Sequence, residues 1–155
     1  MIMKWAPVLL WAGVIFYFST DTFSSANTSP ILRELVSRLF PNLAAEEIDA
    51  VDSAFRKFGH WAEYFILSVL LLRAFDSGAR ASWKWGWAIW TLVLVLLYAA
   101  GDELHQAFVP SRSALVADVL IDFLGGACGV LWMYTLRKRS NARKYDRGDQ
   151  RRDGS

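Results

Sequence analysis

Four long apolar runs divide this chain, and they limit the folds it can adopt more than any other feature. A helix that spans a bilayer core needs roughly 20 mostly apolar residues, and these runs are too long and uniformly apolar for strands. The third run begins with Trp residues and has Tyr98 near its end, as expected at membrane interfaces. The sequence predicts an all-α integral membrane bundle of four transmembrane helices. The runs cover about residues 5–20, 58–73, 84–101 and 114–136.

The composition supports this class and one domain organisation. Hydrophobic residues make up 54% of the 155 residues, and long stretches carry no charge, which is typical of membrane proteins. The single cysteine, Cys128, excludes an intrachain disulfide and a metal-binding cysteine cluster. We expect a membrane domain over residues 1–136 and a basic cytoplasmic tail over residues 137–155.

Lysine and arginine are distributed unevenly between the segments that connect these runs. If both termini are cytoplasmic, 12 basic residues lie inside and five outside, so the positive-inside rule favours this orientation. An alternative is that the first run is a cleaved signal peptide, with Ser24, Ser25 and Ala26 at the cleavage site. The segment GDELHQAFVPSR (101–112) lies outside in both cases.

The connection before the second run has the pattern of an amphipathic helical hairpin. Apolar residues recur at helical spacing after Ser29, with Pro30 expected in the first turn and Pro41 as the stop. A second helical pattern begins near Ile48 and continues into the second run. We expect residues 29–57 to lie on the outer face of the membrane. Packing against the bundle alone is the other interpretation.

The tail after residue 136 carries eight basic and three acidic residues. That composition resembles a nucleic-acid-binding arm. Directly after a membrane span, however, it indicates an orientation signal and a contact with anionic lipids. We therefore expect membrane lipids as partners and no nucleic acid.

Polar residues inside the apolar runs are costly and usually face the bundle interior. In the fourth run, Asp118, Asp122, Gly125 and Gly129 share one helix face. The two glycines are spaced for close approach of a neighbouring helix. The two carboxylates lie toward the outer side, where they are either functional or buried hydrogen-bonding groups that hold two helices together.

The second and third runs bring further polar residues to the same level. Arg56, His60, Glu63 and Tyr64 fall on one face of the second run, and a His–Glu pair suits metal binding or acid–base chemistry. The alternative is that Glu63 neutralises a nearby arginine. In the third run, polar residues continue one face if the helix extends past Gly101, whereas Glu103 is expected to point elsewhere. These residues are Tyr98, Asp102, His105 and Gln106, with Arg112 following in the loop.

Together these motifs resemble the VanZ-like family of bacterial membrane proteins over about residues 4–136. The matching residues are Lys57, His60 and Tyr64, then Asp102, Glu103, His105, Gln106, Phe108, Pro110 and Arg112, and finally Asp118, Asp122, Gly125 and Gly129. Members usually carry Asn where this chain has Asp122, and often Gly where it has Ser111. The resemblance implies four spans in the inner membrane and an association with reduced sensitivity to teicoplanin-type glycopeptides.

Three hypotheses account for the polar cluster. The first is an outer pocket that binds a lipid-linked or anionic envelope ligand through Arg112 with Arg56 or Lys57. The second is a hydrolase or transferase acting on lipid-linked envelope intermediates, in which His60 or His105 is the base and Arg112 stabilises negative charge. Glu63, Asp102 or Glu103 would orient the base, and a metal, if bound, would use His60, Glu63, Asp102 or His105. The third is polar groups that only hold the helices together. No cofactor is identified.

Overall fold

The computed structural model describes residues 2–20, 25–75, 83–109 and 116–150, and within them the chain forms helices and no strand. The prediction of an all-helical fold is confirmed. Two helical segments are long and apolar enough to cross a membrane, by length and composition: Trp85–Ala107 and Val116–Ala142. The helices are α1 (Ile2–Phe18), α2 (Ser25–Leu39), α3 (Ala45–Phe75), α4 (Trp85–Ala107) and α5 (Val116–Gln150).

Helices α1, α3, α4 and α5 form a bundle in which consecutive helices run in opposite directions. The ring of Trp5, at the start of α1, lies 5.3 Å from the ring of Phe75, at the end of α3. The ring of Trp83, just before α4, lies 5.3 Å from the ring of Tyr134 in α5. One end of the bundle therefore holds the start of α1, the end of α3 and the start of α4. The polar sequence motifs lie toward the other end.

The most extensive contact in the bundle joins α3 and α5, and two glycines of α5 make it possible. A Cβ atom at Gly125 would overlap the backbone carbonyl oxygen of Trp61. A Cβ atom at Gly129 would overlap the Ser68 hydroxyl and lie 2.7 Å from the carbonyl oxygen of Phe65. Both glycines that the sequence pattern indicated lie at this contact. We call this contact the glycine seam.

Helix α4 buries a continuous stripe whose chemistry changes along its length. Its first part is small or apolar, and its last part is polar, because the helix continues through Gly101 to Ala107. It ends shortly before Pro110, as expected since the residue before a proline disfavours helical geometry. The condition for the polar residues after Tyr98 to continue one helix face is therefore met. The buried residues are Ala88, Thr91, Val95, Ala99, Asp102, Glu103 and Gln106.

The amphipathic segment forms a helix that starts earlier than predicted. α2 begins at Ser25, so Pro30 lies inside the helix and not in its first turn. Proline lacks an N–H and therefore costs one hydrogen bond at that position. The expected stop is confirmed, since α2 ends at Leu39, two residues before Pro41. Its exposed apolar side chains are Ile31, Leu35 and Leu39, while Val36 is buried.

The second arm of the expected hairpin is not a separate helix. It is continuous with the second apolar run in α3, which has 31 residues. The first turn of α3 carries Glu46 and Glu47, which suit the positive end of the helix dipole. The Ala44 N–H donates to Glu47 Oε2 at 2.8 Å, which fixes the start of the helix. Helix α5 likewise continues past residue 136 to Gln150.

Replacing Gly125 with alanine should destabilise the bundle by about 1–3 kcal/mol, because the added methyl meets backbone that cannot rotate away. Gly13→Ala is the matched control, since nothing lies within 4 Å of a Cβ atom there. Alanine favours a helix interior by about 1 kcal/mol over glycine, so this control should be neutral or stabilising. Thermal unfolding followed by circular dichroism in detergent measures both. Equal stability of Gly125→Ala and the unmodified chain would contradict the close approach of α3 and α5 at the glycine seam.

Candidate functional site

His60 of α3 and Asp122 of α5 form a pair at the polar end of the glycine seam. His60 Nδ1 and Asp122 Oδ1 are 3.3 Å apart, and the Asp122 side chain is only 1% exposed. Within the described residues, neither atom makes a hydrogen bond of regular geometry. Because Asp122 lies one turn before Gly125, the close approach at the seam brings its carboxylate to His60. A buried carboxylate needs such a partner to offset its lost hydration.

Tyr64 lies in the interior beside this pair. It is fully buried, and its ring centroid is 6.2 Å from that of Tyr98 on α4. Its phenol group lies within electrostatic range of the carboxylates of Asp122 and Asp102. The hydroxyl makes no hydrogen bond within the described residues. Tyr64 therefore joins polar groups from three helices at one level of the bundle.

The last turn and a half of α4 supplies the remaining buried polar groups. Gln106 Nε2 donates to Asp102 Oδ2 at 3.0 Å, and both side chains are buried. Glu103 is buried too, so the expectation that it points away from the interior is wrong. Glu103 is buried because it lies at the edge of the buried face of α4. His105 is half-buried, and its ring lies 4.7 Å from that of Phe16.

Two hydrogen bonds attach α1 to this part of the bundle. Trp11 Nε1 donates to the backbone oxygen of Glu63 at 2.9 Å. The Tyr98 hydroxyl donates to the backbone oxygen of Ala12 at 2.6 Å. Our sequence interpretation missed both, because the acceptors are backbone atoms inside an apolar run and leave no signal in the side-chain pattern.

A cavity of about 380 Å³ lies between the end of α1, α2 and α3, a volume within the usual range for small-molecule sites. Its walls are apolar on the side of α2 and polar along α3. The lining consists of Phe18, Ile31, Leu32, Leu35, Phe55 and Gly59, with Thr28, Asp52, Arg56, His60 and Glu63. His60 thus belongs both to the cavity wall and to the buried pair.

A buried hydrogen bond holds α2 against the cavity. Ser29 Oγ donates to Asp52 Oδ2 at 2.6 Å, and both residues are buried. Arg33 and Asp49 add an exposed ion pair at 2.9 Å, which contributes little at a solvated surface. Asp52 could not be identified from the sequence pattern, since a single carboxylate on an amphipathic helix is usually solvated.

The structure brings together most of the residues that the motifs nominated. His60, Tyr64, Asp102 and Asp122 interact within one cluster, and Asp118 is half-buried within electrostatic range of Asp122. Lys57 is exposed and does not line the cavity. Arg112 lies outside the described residues. Pro110 and Ser111 of the same motif also lie outside them.

The metal candidates of the sequence are spread over several positions in the described structure. Among the described residues, no three His, Cys, Asp or Glu side chains are grouped so that they could hold a metal ion. The metal candidates His60, Glu63, Asp102 and His105 are divided between the cavity wall, the interior and the surface of α1. The cluster can orient an imidazole and can accept hydrogen bonds from a ligand.

Comparisons with known proteins agree with the motif pattern. The family model described as VanZ/LLP1 matches residues 4–137, which include every residue of the cluster. The comparison with curated proteins found no match, and the comparison with solved structures found none either. The assignment of the chain to a family therefore rests on this family model.

The two single variants of the buried pair should together lose more stability than the double variant does. We expect His60→Ala to destabilise the protein by about 3–5 kcal/mol, since it leaves Asp122 buried without its partner. Asp122→Asn should cost less, and the double variant should show a coupling energy of about 1–3 kcal/mol. Equilibrium unfolding in mixed micelles measures the cycle, with Lys57→Ala as the exposed control. Strictly additive losses would mean that the two side chains act independently.

Proposed function

Because the chain belongs to the VanZ-like family, we propose that it is a multi-pass membrane protein that binds a lipid-linked or anionic envelope ligand. The proposed site is the cavity between α1, α2 and α3, with the buried polar cluster behind it. One observation carries the proposal, namely a cavity that combines an apolar wall with an arginine and a histidine. The family match supports the membrane setting.

The alternating directions of α1, α3, α4 and α5 support four crossings. Their outward faces also carry large exposed apolar side chains, such as Leu9, Trp90 and Leu131. Exposed apolar patches of this extent mark contact with lipid or another protein. With both termini in the cytoplasm, as the distribution of basic residues favours, the cavity opens on the outer side of a bacterial inner membrane.

The length of α3 supports a position of the cavity at the membrane surface. Thirty-one residues at the helical rise of 1.5 Å extend about 46 Å, compared with about 30 Å for the hydrocarbon core. The first turns of α3 therefore project beyond the core. A continuous helix cannot both cross the bilayer and lie on its surface, so α2 alone is the surface helix of the predicted hairpin.

The two sides of the cavity suit the two parts of an amphiphile. Ile31, Leu35 and Phe55 offer an apolar wall that is partly exposed, and a chain from the outer leaflet can lie against it. Arg56 and His60 lie on the polar side, where a guanidinium and an imidazole can donate to a phosphate or carboxylate. We assign Arg112 the same role, as the family motif implies.

The buried cluster supports the site by fixing His60. Asp122 Oδ1 lies 3.3 Å from His60 Nδ1 and limits rotation of the ring. Tyr64 and Asp102 provide polar groups deeper in the bundle. Such supporting contacts keep a binding side chain in one orientation, which raises affinity by reducing the entropy lost on binding.

Arg56→Ala should remove the anionic ligand from the purified protein. Arg56 lines the cavity, whereas the neighbouring Lys57 is exposed outside it. We expect lipid extracts of the unmodified protein and of Lys57→Ala to contain the same anionic lipid, and those of Arg56→Ala to contain several-fold less. Mass spectrometry of extracts from equal amounts of folded protein measures this. An unchanged lipid content in Arg56→Ala would refute the site.

The family association predicts a cellular effect as well. Production of the protein in a glycopeptide-susceptible bacterium should raise the minimal inhibitory concentration of teicoplanin, and Arg56→Ala or Arg112→Ala should remove that increase. Lys57→Ala, produced at the same membrane level, should keep it. Equal concentrations with and without the unmodified protein would argue against a role in glycopeptide sensitivity.

A further inference from the structure

The opposite end of the bundle carries a second organised surface, formed by Trp83, Lys84, Trp85, Tyr134 and Arg137. We call it the basic–aromatic surface. The Tyr134 ring lies 5.3 Å from the Trp83 ring at 70° and 5.6 Å from the Trp85 ring at 35°. Trp83 and Trp85 also meet edge to face at 5.9 Å. The segment before α4 and the middle of α5 are thereby joined through their aromatic rings.

Two positive charges are held at fixed places on this surface. Lys84 Nζ lies 4.8 Å from the centre of the Trp87 ring, and Arg137 Cζ lies 5.9 Å from the centre of the Trp83 ring. Both distances are within the range of cation–π attraction. The two indoles in turn pack against the buried cluster of Leu72, Ala88 and Val130. Core packing therefore fixes the rings, and the rings position the cations.

The charged side chains that the structure describes at this end are basic. Within the described residues near it, in 2–8, 69–75, 83–90 and 131–142, the sequence holds six basic side chains and no carboxylate. The polar end of the bundle, in contrast, has several carboxylates. An anion complements these basic side chains. The six basic residues are Lys4, Arg73, Lys84, Arg137, Lys138 and Arg139.

One buried donor at this surface has no acceptor. Trp83 Nε1 is inaccessible to solvent and makes no hydrogen bond within the part of the chain that the structure describes. A buried donor without a partner costs about 1–3 kcal/mol. An oxygen atom of a bound headgroup next to Arg137 and Tyr134 would supply the missing acceptor.

The surroundings of the basic–aromatic surface identify the anion as a lipid. Trp85 of this surface is exposed, and so are Leu131, Trp132 and Leu136 on the same stretch of α5 as Tyr134. An occupant must therefore cover apolar surface as well as neutralise charge. A free phosphate or a nucleic acid would leave these side chains in water. We propose that the basic–aromatic surface binds an anionic phospholipid, with its phosphate at Lys84, Arg137 and Trp83 and its chains along the exposed apolar side of α5.

Phosphatidylglycerol is the probe for this site, and phosphatidylcholine is the neutral comparison. The full-length protein is titrated with each lipid in mixed micelles while its thermal unfolding midpoint is measured. We expect phosphatidylglycerol to raise the midpoint more than phosphatidylcholine does. Since a basic residue near an anionic surface contributes about a fivefold factor in binding, Arg137→Gln should weaken the apparent affinity about fivefold. Lys84→Gln should have a similar effect.

Arg139→Gln is the matched control. Arg139 is exposed two residues after Arg137 on α5, and the change in charge is the same. It should retain nearly the full effect of phosphatidylglycerol. Trp83→Phe keeps a ring but removes the N–H, and it should also weaken binding. An equal loss in Arg139→Gln and Arg137→Gln would overturn a defined site in favour of a general positive field. Equal responses to the two lipids would overturn it as well.

The site proposed between α1, α2 and α3 can be tested separately in the same experiment. Arg56→Ala changes the cavity at the other end of the bundle and should leave the response to phosphatidylglycerol unchanged. If Arg56→Ala lost the response to phosphatidylglycerol and Arg137→Gln kept it, the lipid would bind in the cavity. That result would overturn the basic–aromatic site.

Discussion

The backbone contact between α3 and α5 is the constraint on which the rest of the structure depends. Gly125 and Gly129 remove the side-chain volume that would hold the helices apart, and no other residue type permits that distance. One turn earlier on the same face, the approach brings the Asp122 carboxylate to His60. Burial of the carboxylate is tolerable only because this imidazole is there. Helix packing and the polar site therefore follow from the same two glycines.

The two ends of the bundle differ because the same helices carry different side chains along their buried faces. On α4 the stripe changes from Ala88 and Thr91 to Asp102 and Gln106 without changing direction. Polar groups are thus concentrated in the interior at one end, beside the cavity. At the other end the cationic groups of Lys84 and Arg137 lie over tryptophan rings. One end is organised around buried carboxylates and the other around exposed cations.

Patterns along a single helix predicted much of this fold. The glycine spacing predicted the close approach of α5, and Pro41 predicted the end of α2. The polar residues after Tyr98 were expected to share one face only if α4 continues past Gly101, which it does. Contacts between helices were less accessible, because they depend on rotation and approach as well as on spacing. The His60–Asp122 pair, the Ser29–Asp52 hydrogen bond and the cavity are of this kind. The early start of α2 was also missed, because proline usually marks a first turn.

His60 lies between the cavity and the interior, and the residue at position 122 determines how tightly the imidazole ring is held. Its Nδ1 faces Asp122, so Nε2 is the ring nitrogen left for an occupant of the cavity. A carboxylate presents only acceptors, and it therefore favours the form of the imidazole in which Nδ1 carries a hydrogen. An asparagine, as the family usually has here, offers an acceptor and a donor and permits both orientations of the amide. With Asp122 this chain restricts its imidazole more tightly than an asparagine would, so in the proposed site Nε2 would meet a ligand in one orientation.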